Sequence, residues 1–133
     1  ARRASAVAGA RHGDFATSIG RVILAGLPDD RLDGWLARLC PVALTSRTCV
    51  DKGRLREEIL TAREQGYATT VDQLDYGITA LAVPIRNAEG RTIAALNSSG
   101  YTGMVTPDVL VTERLPELRA ETLVETVKGE IRF

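Results

Sequence analysis

Residues able to do catalytic chemistry are sparse in this sequence. A serine or cysteine triad needs a histidine held by a carboxylate, and His12 is the only histidine in the chain. Cys40 and Cys49 form no C-x-x-C pair and lie in no electropositive motif, so they suggest neither a zinc site nor a reactive thiol. Asp72 and Asp75 are close in sequence, but they read as solvating acids of a loop. Gly66, Gly77, Gly90, Gly100 and Gly103 are too scattered to cradle a phosphate. The expectation is a chain with no catalytic residues, no metal and no cofactor. Binding chemistry is better represented. Asn97 and Ser99 place an amide and a hydroxyl two residues apart. A helix opening at Ser18 and Ile19 would present free backbone N–H groups and the positive end of its dipole, either to an anion or, as at most helix starts, only to water or a cap.

Those groups must be positioned by the stretch from Gly66 to Gly100, which reads as a strand, a loop and a hairpin. The hairpin arms are Ile78–Arg86 and Arg91–Ser99, rich in β-branched and small residues. Between them Asn87-Ala88-Glu89-Gly90 is turn chemistry. Pairing Arg86 with Arg91 sets Pro84 opposite Ile93, Ala82 opposite Ala95, Ala80 opposite Asn97 and Ile78 opposite Ser99. Side chains alternate across a sheet, so these pairs share one face. The other face carries Thr79, Leu81, Val83 and Ile85 beside Thr92, Ala94, Leu96 and Ser98, and is a packing surface. The first face is a floor of alanines ending in two polar groups. It permits two readings: room for a ligand, or close approach of a helix with Asn97 and Ser99 solvated.

The remaining elements follow from caps and periodicity. Ala4 to Ala8 reads as a strand broken by Gly9, Gly13 and Asp14. Thr17 or Ser18 caps a helix with Ile19, Val22, Ile23 and Ala25 at helical spacing, ending near Gly26. Pro28-Asp29-Asp30 starts a second helix with Leu32, Trp35, Leu36 and Leu39 on one face, stopped by Pro41. Asp51 caps a third helix through about Gln65, with Leu55, Ile59 and Ala62 buried and Gly66 as its stop. Arg54, Arg56, Glu57, Glu58, Arg63 and Glu64 are expected to form a solvated face with some i,i+4 pairing. Tyr67–Val71 is a strand. Thr106-Pro107 opens a last helix carrying Val111, Leu115, Leu118, Leu123, Val127 and Ile131, which Pro116 should kink or divide. This order predicts an α+β layer fold with helices over an antiparallel sheet.

At 133 residues the chain suits one domain. Lys plus Arg equal Asp plus Glu at 17 each, a balance giving no sign of a nucleic-acid or anionic-membrane surface. No apolar run is long enough to span a bilayer. The cysteine usage suits a reducing, cytoplasmic compartment. The chain opens at Ala1-Arg2-Arg3 without Met, and its first strand lacks a sequence neighbour to pair with. The domain, residues 1–133, is therefore expected to be incomplete at its N-terminus.

Three segments, with the end of the hairpin, together resemble the effector-binding domain of IclR-type bacterial transcriptional regulators. Ala16-Thr17-Ser18-Ile19-Gly20-Arg21-Val22-Ile23-Leu24-Ala25 is similar to that family's small-residue helix opening. Arg63-Glu64-Gln65-Gly66-Tyr67-Ala68 resembles its R-x-x-G-Y helix-to-strand junction. Leu74 to Ile85 resembles its E-x-G-h-x-x-h-A-x-P-h strand, where h is apolar, and Ile93 to Gly100 its A-a-h-S-h-S-G ending. The helix text looks most like regulators of aromatic-acid catabolism through the β-ketoadipate pathway.

The resemblance implies a GAF/PAS-like antiparallel sheet flanked by helices, with further elements upstream. It implies a homodimer or homotetramer that reaches DNA only through an attached winged helix-turn-helix domain, with no membrane role. It also implies a small organic acid as effector, an aromatic or β-ketoadipate-type acid. Carried over residue by residue, its carboxylate would meet the backbone at Ser18 and Ile19 and the side chains of Asn97 and Ser99. Thr70, Ile78 and Ala80 match other pocket positions. Thr70 stands where the family can have an acid, Ala80 where it can have Cys, and Asn97 where it can have Ser. Arg2 and Arg3 would assist if their strand borders the pocket. The alternatives are a GAF-like sensor of another signalling system, or a domain whose only role is oligomerisation.

Overall fold

The structure is a computed structural model describing residues 3–7 and 15–127, with side chains from Phe15 to Thr122. The sheet has four antiparallel strands, β1 (Arg3–Val7), β2 (Ala68–Val71), β3 (Ile78–Arg86) and β4 (Thr92–Tyr101), in the order β1-β4-β3-β2. Helices α1 (Ser18–Ala25), α2 (Asp29–Arg38) and α3 (Lys52–Gln65) cover one face, and α4 (Pro107–Glu113) and α5 (Leu115–Val127) cover the other. The α+β fold expected from the sequence is the one observed. His12, Arg2, the side chain of Arg3 and those of Leu123, Val127 and Ile131 lie outside the described residues.

Alternation decides which helices lie where. Ala82 and Ala95, on one face, join the core built on Leu24, Leu32, Leu55 and Ile59 of α1–α3. Leu81, Val83, Ile85, Ala94 and Leu96, on the other, pack with Leu110, Leu115 and Leu118 of α4 and α5. Burying both faces gives two apolar layers around one sheet.

From Ile78 to Ile85 and from Ala94 to Ser99 the hairpin faces are as expected, but the register is not, and Thr92 and Ile93 have exchanged faces: Thr92 lies against Gly26 after α1, and Ile93 packs with the core under α4 and α5. Ala80 lies opposite Ser99, Ala82 opposite Asn97 and Pro84 opposite Ala95, two residues displaced from the expected pairing. The cause lies at the turn. Asn87 Oδ1 accepts from the N–H groups of Glu89 and Arg91 at 3.1 and 3.0 Å, closing a loop that runs through Arg91. Ile85 then pairs with Ala94 and Arg86 with Thr92, so Ile93 is bulged out of the ladder. A slip of one residue would exchange the faces, whereas a slip of two preserves them. The strand also continues to Tyr101, beyond the expected end at Ser99.

The caps formed as expected. Thr17 Oγ1 accepts from Gly20 N at 2.9 Å, and Asp51 Oδ1 accepts from Arg54 N at 3.0 Å. Gly66 ends α3 at φ +80°, a left-handed conformation that glycine adopts without a Cβ clash. The last helix is divided into α4 and α5: Arg114 caps α4, and Pro116 sits in the first turn of α5, where its missing N–H costs no helical bond.

The charged side of α3 is in part the solvated face expected: Arg54, Glu57 and Glu64 are exposed and Arg54 pairs with Glu58 at i,i+4, 3.6 Å apart, whereas Arg56 and Arg63 reach other helices. Arg63 donates to the carbonyls of Ala25 and Leu27, both at 2.9 Å, and pairs with Asp29 at 2.6 Å. Arg56 pairs with Asp33 at 2.7 Å. These arginines tie α3 to the end of α1 and to two carboxylates of α2; the long guanidinium stem lets Arg63 reach carbonyls left over at the C-terminus of α1.

Candidate functional site

Between the start of α1 and the alanine face lies a cavity of about 260 Å³. Its lining includes Ser18, Ile19, Thr70, Ile78, Ala80, Asn97 and Ser99. All seven residues singled out in the sequence thus meet in one space. The two-residue register slip moves their pairings without removing any from the face.

The sheet forms the floor. Thr70 pairs with Ala80 and Ala80 with Ser99, so these three make one row across β2, β3 and β4. Two interstrand steps put Thr70 about 10 Å from Ser99. The next row on that face holds Ala82 and Asn97. Ala80 between the polar ends removes bulk from the centre of the floor, and its methyl is 9% exposed. Ile78 lies at the exposed end of β3.

The opposite wall is the first turn of α1. The Thr17 hydroxyl satisfies Gly20 N–H, and the Thr17 carbonyl satisfies Arg21 N–H at 3.1 Å. The N–H groups of Ser18 and Ile19 have no acceptor within the helix. They lie at the positive end of the dipole, with the Ser18 side chain 1% exposed. Among the described residues no lysine or arginine lines the cavity, and Asp75, an exposed residue, is the one carboxylate that does. Among these residues an anion would meet oriented N–H and O–H dipoles.

Sequence reasoning missed the third wall. Gln73, Leu74 and Asp75 of the β2–β3 loop also line the cavity, as do Ala16 and Thr17. The loop is clamped from both sides. Asp72, at φ +54°, accepts through Oδ1 from Thr102 Oγ1 at 2.6 Å and from Gly77 N at 2.9 Å. Because the Thr102 hydroxyl proton is used there, Thr79 Oγ1 donates to Thr102 Oγ1 at 3.0 Å. The segment before α3 grips the other side: Thr48 Oγ1 donates to the Gln73 carbonyl at 2.6 Å, Thr45 Oγ1 to the Asp72 carbonyl, and Ser46 N to Tyr76 Oη at 2.7 Å. The Thr102 hydroxyl, above all, holds the Asp72 carboxyl below its ordinary range against a smaller opposing effect of desolvation.

Arg21 fastens these walls together from behind. It is 2% exposed. Its Nε donates to the Phe15 carbonyl at 3.3 Å, Nη2 to Gln73 Oε1 at 2.5 Å, and Nη1 lies 2.8 Å from Glu58 Oε2, an ion pair rather than an aligned hydrogen bond. Burial pulls its pKa down and Glu58 opposes the shift; an arginine stays charged regardless. One guanidinium therefore joins the approach to α1, the β2–β3 loop and α3. A signal for its burial existed: Ser18, Arg21, Val22 and Ala25 make an i, i+3, i+4, i+7 stripe.

Nothing in the described residues suggests catalysis. Among the described residues no cluster of three His, Cys, Asp or Glu could hold a metal, and no helix is long and apolar enough to cross a membrane. Cys40 and Cys49 are free thiols, and burial first, then Glu58, raises the pKa of Cys49.

Comparison with known proteins agrees with this picture. Residues 1–123 match the family model described as bacterial transcriptional regulator IclR C-terminal. The Pca regulon regulatory protein of Pseudomonas putida is 39% identical over 112 residues, 84% of this chain and 38% of that protein. The p-hydroxybenzoate hydroxylase transcriptional activator of Acinetobacter baylyi is 36% identical over 104 residues, 78% of this chain and 38% of its own length. The chain thus spans about two fifths of these relatives. Among solved structures, a transcriptional regulator from Rhodococcus sp. RHA1 superposes with a TM-score of 0.81 at 38% identity, covering 86% of this chain and 46% of that one. A double mutant of the PobR inducer-binding domain from Acinetobacter, in complex with 3-hydroxybenzoic acid, does so with a TM-score of 0.78 at 34% identity, covering 83% and 63%. These relatives are regulators, not enzymes. The chain belongs to the IclR family of bacterial transcriptional regulators and corresponds to their C-terminal, effector-binding domain.

Proposed function

We propose that this chain senses a small organic acid, an aromatic or β-ketoadipate-type carboxylate, in the cavity between α1 and the alanine face. The carrying observation is the convergence of the Ser18–Ile19 helix start with Thr70, Asn97 and Ser99 around one small-residue floor. The volume, about 260 Å³, falls below the roughly 300–1,000 Å³ typical of drug-sized ligands, and suits a single ring or a short dicarboxylate. In this reading the carboxylate meets the Ser18 and Ile19 N–H groups, with Asn97 and Ser99 completing its hydrogen bonds. The relatives support an aromatic acid: one activates a p-hydroxybenzoate hydroxylase gene, and another's domain holds 3-hydroxybenzoic acid.

The acid would act by preferring one arrangement of paired sensing domains over another. That preference would change the spacing of winged helix-turn-helix domains attached to them, and so their fit to DNA. Calorimetric titration with a panel of aromatic and aliphatic carboxylates tests the sensing step. At least one acid should bind, and Asn97→Ala with Ser99→Ala should weaken it roughly 30-fold, from two hydrogen bonds of about 1 kcal/mol each. A panel with no binder, or an affinity indifferent to the double substitution, would overturn the assignment.

A further inference from the structure

Gln73 sits two residues beyond β2 and borders the cavity from the loop side. Its amide oxygen is already committed: Arg21 Nη2 donates to Oε1 at 2.5 Å and the Cys49 backbone N–H donates at 3.1 Å. Both partners can only donate, so the oxygen lies on their side and the planar amide turns its NH₂ the other way. Arg21 stands outside the cavity lining and is itself immobilised by the Phe15 carbonyl and Glu58. The Gln73 backbone is held too, through the hydrogen bond from Thr48 to its carbonyl. Among the described residues, Nε2 donates no hydrogen bond. A side chain fixed at both ends, with two unused donors beside a cavity, is pre-organised to meet a ligand.

The sheet locates those donors relative to the other polar groups. Asn97 and Ser99 stand on β4; Thr70 and Gln73 stand at the β2 end of the same floor, two strands away, about 10 Å by strand spacing. Between them the floor offers the methyl of Ala80, with no polar partner. A ligand anchored on the β4 side by its carboxylate would carry its other end toward Gln73.

We infer that Gln73 Nε2 donates to an oxygen at the end of the effector remote from its carboxylate, making Gln73 a specificity-determining residue. The favoured acids bear a second acceptor, such as a ring oxygen, a ketone or a second carboxylate. This rests on the acid-sensing role proposed above.

The test is a matched pair of probes, cyclohexanecarboxylate and 4-oxocyclohexanecarboxylate, titrated calorimetrically into the wild-type chain and into Gln73→Glu and Gln73→Leu. Glu keeps an oxygen for Arg21 and the Cys49 N–H but loses the donors; Leu loses both. The wild type should prefer the keto acid by about 5- to 10-fold, one hydrogen bond's worth. Both variants should bring the two affinities within about twofold of each other, and their thermal unfolding reports separately that they fold. A wild type with no preference, or a preference that survives in both variants, overturns the role of Gln73 while leaving acid sensing intact. If the wild type binds neither probe nor any acid of the wider panel, acid sensing falls and the role of Gln73 falls with it.

Discussion

Arg21 shows how much of a site can depend on a residue that never touches its ligand space. Its charge is buried, and three partners from separate parts of the chain converge on it. Removing it leaves the Phe15 carbonyl and Gln73 Oε1 without a donor from Arg21 and leaves Glu58, whose side chain is 32% exposed, without its closest cation. Breaking a fully buried pair costs about 3–5 kcal/mol; partial solvation of Glu58 lowers this, so Arg21→Met should destabilise the chain by about 2–3 kcal/mol. Urea unfolding measures it, and a change under 0.5 kcal/mol, the level of an ordinary surface substitution at roughly that size, would contradict the account. At this scale the sequence was informative about Ser18, Ile19, Asn97 and Ser99, whose chemistry belongs to local positions on a helix start and a strand face. It was silent about Gln73, because what sets that side chain is an arginine 52 residues away, and no local pattern encodes such a pair.

At the scale of elements, caps and faces were legible because each depends on a few neighbouring residues. Thr17, Asp51, Gly66 and Thr106 mark their helix ends by mechanisms a sequence displays directly. The hairpin register was not legible, because the Asn87 side chain closes the loop and Ile93 bulges, and neither follows from alternation. The β2–β3 loop looked like solvated polar chain, yet Asp72 folds it into a wall of the site. The lowered pKa of Asp72 fixes the sign of its pH effect. A carboxyl whose folded value lies below its unfolded one stabilises the fold above about pH 4, and that contribution is lost as pH falls through the lowered folded value. Asp72→Asn keeps an Oδ1 acceptor for Thr102 and Gly77 and tolerates φ +54°, but does not titrate. The thermal midpoint of the wild type should therefore fall relative to Asp72→Asn on acidification below about pH 4. Parallel pH profiles would contradict the assigned hydrogen bonds.

For the whole molecule, the two-sided sheet separates tasks. One face is filled by leucines from α4 and α5 and holds the sheet rigid; the other keeps alanines at its centre and polar groups at its edges, and faces α1 across a cavity. Alternation indicated the two faces. Only the fold brought the start of α1 over Asn97 and Ser99, since that closure joins segments some 80 residues apart. The central claim is that a carboxylate occupies the junction. A crystal structure of the chain grown with 4-hydroxybenzoate tests it most directly. The account predicts the carboxylate within hydrogen-bond distance of the Ser18 or Ile19 N–H and of Ser99, with the ring over Ala80. Ligand bound elsewhere on the molecule, with this cavity empty, would contradict it.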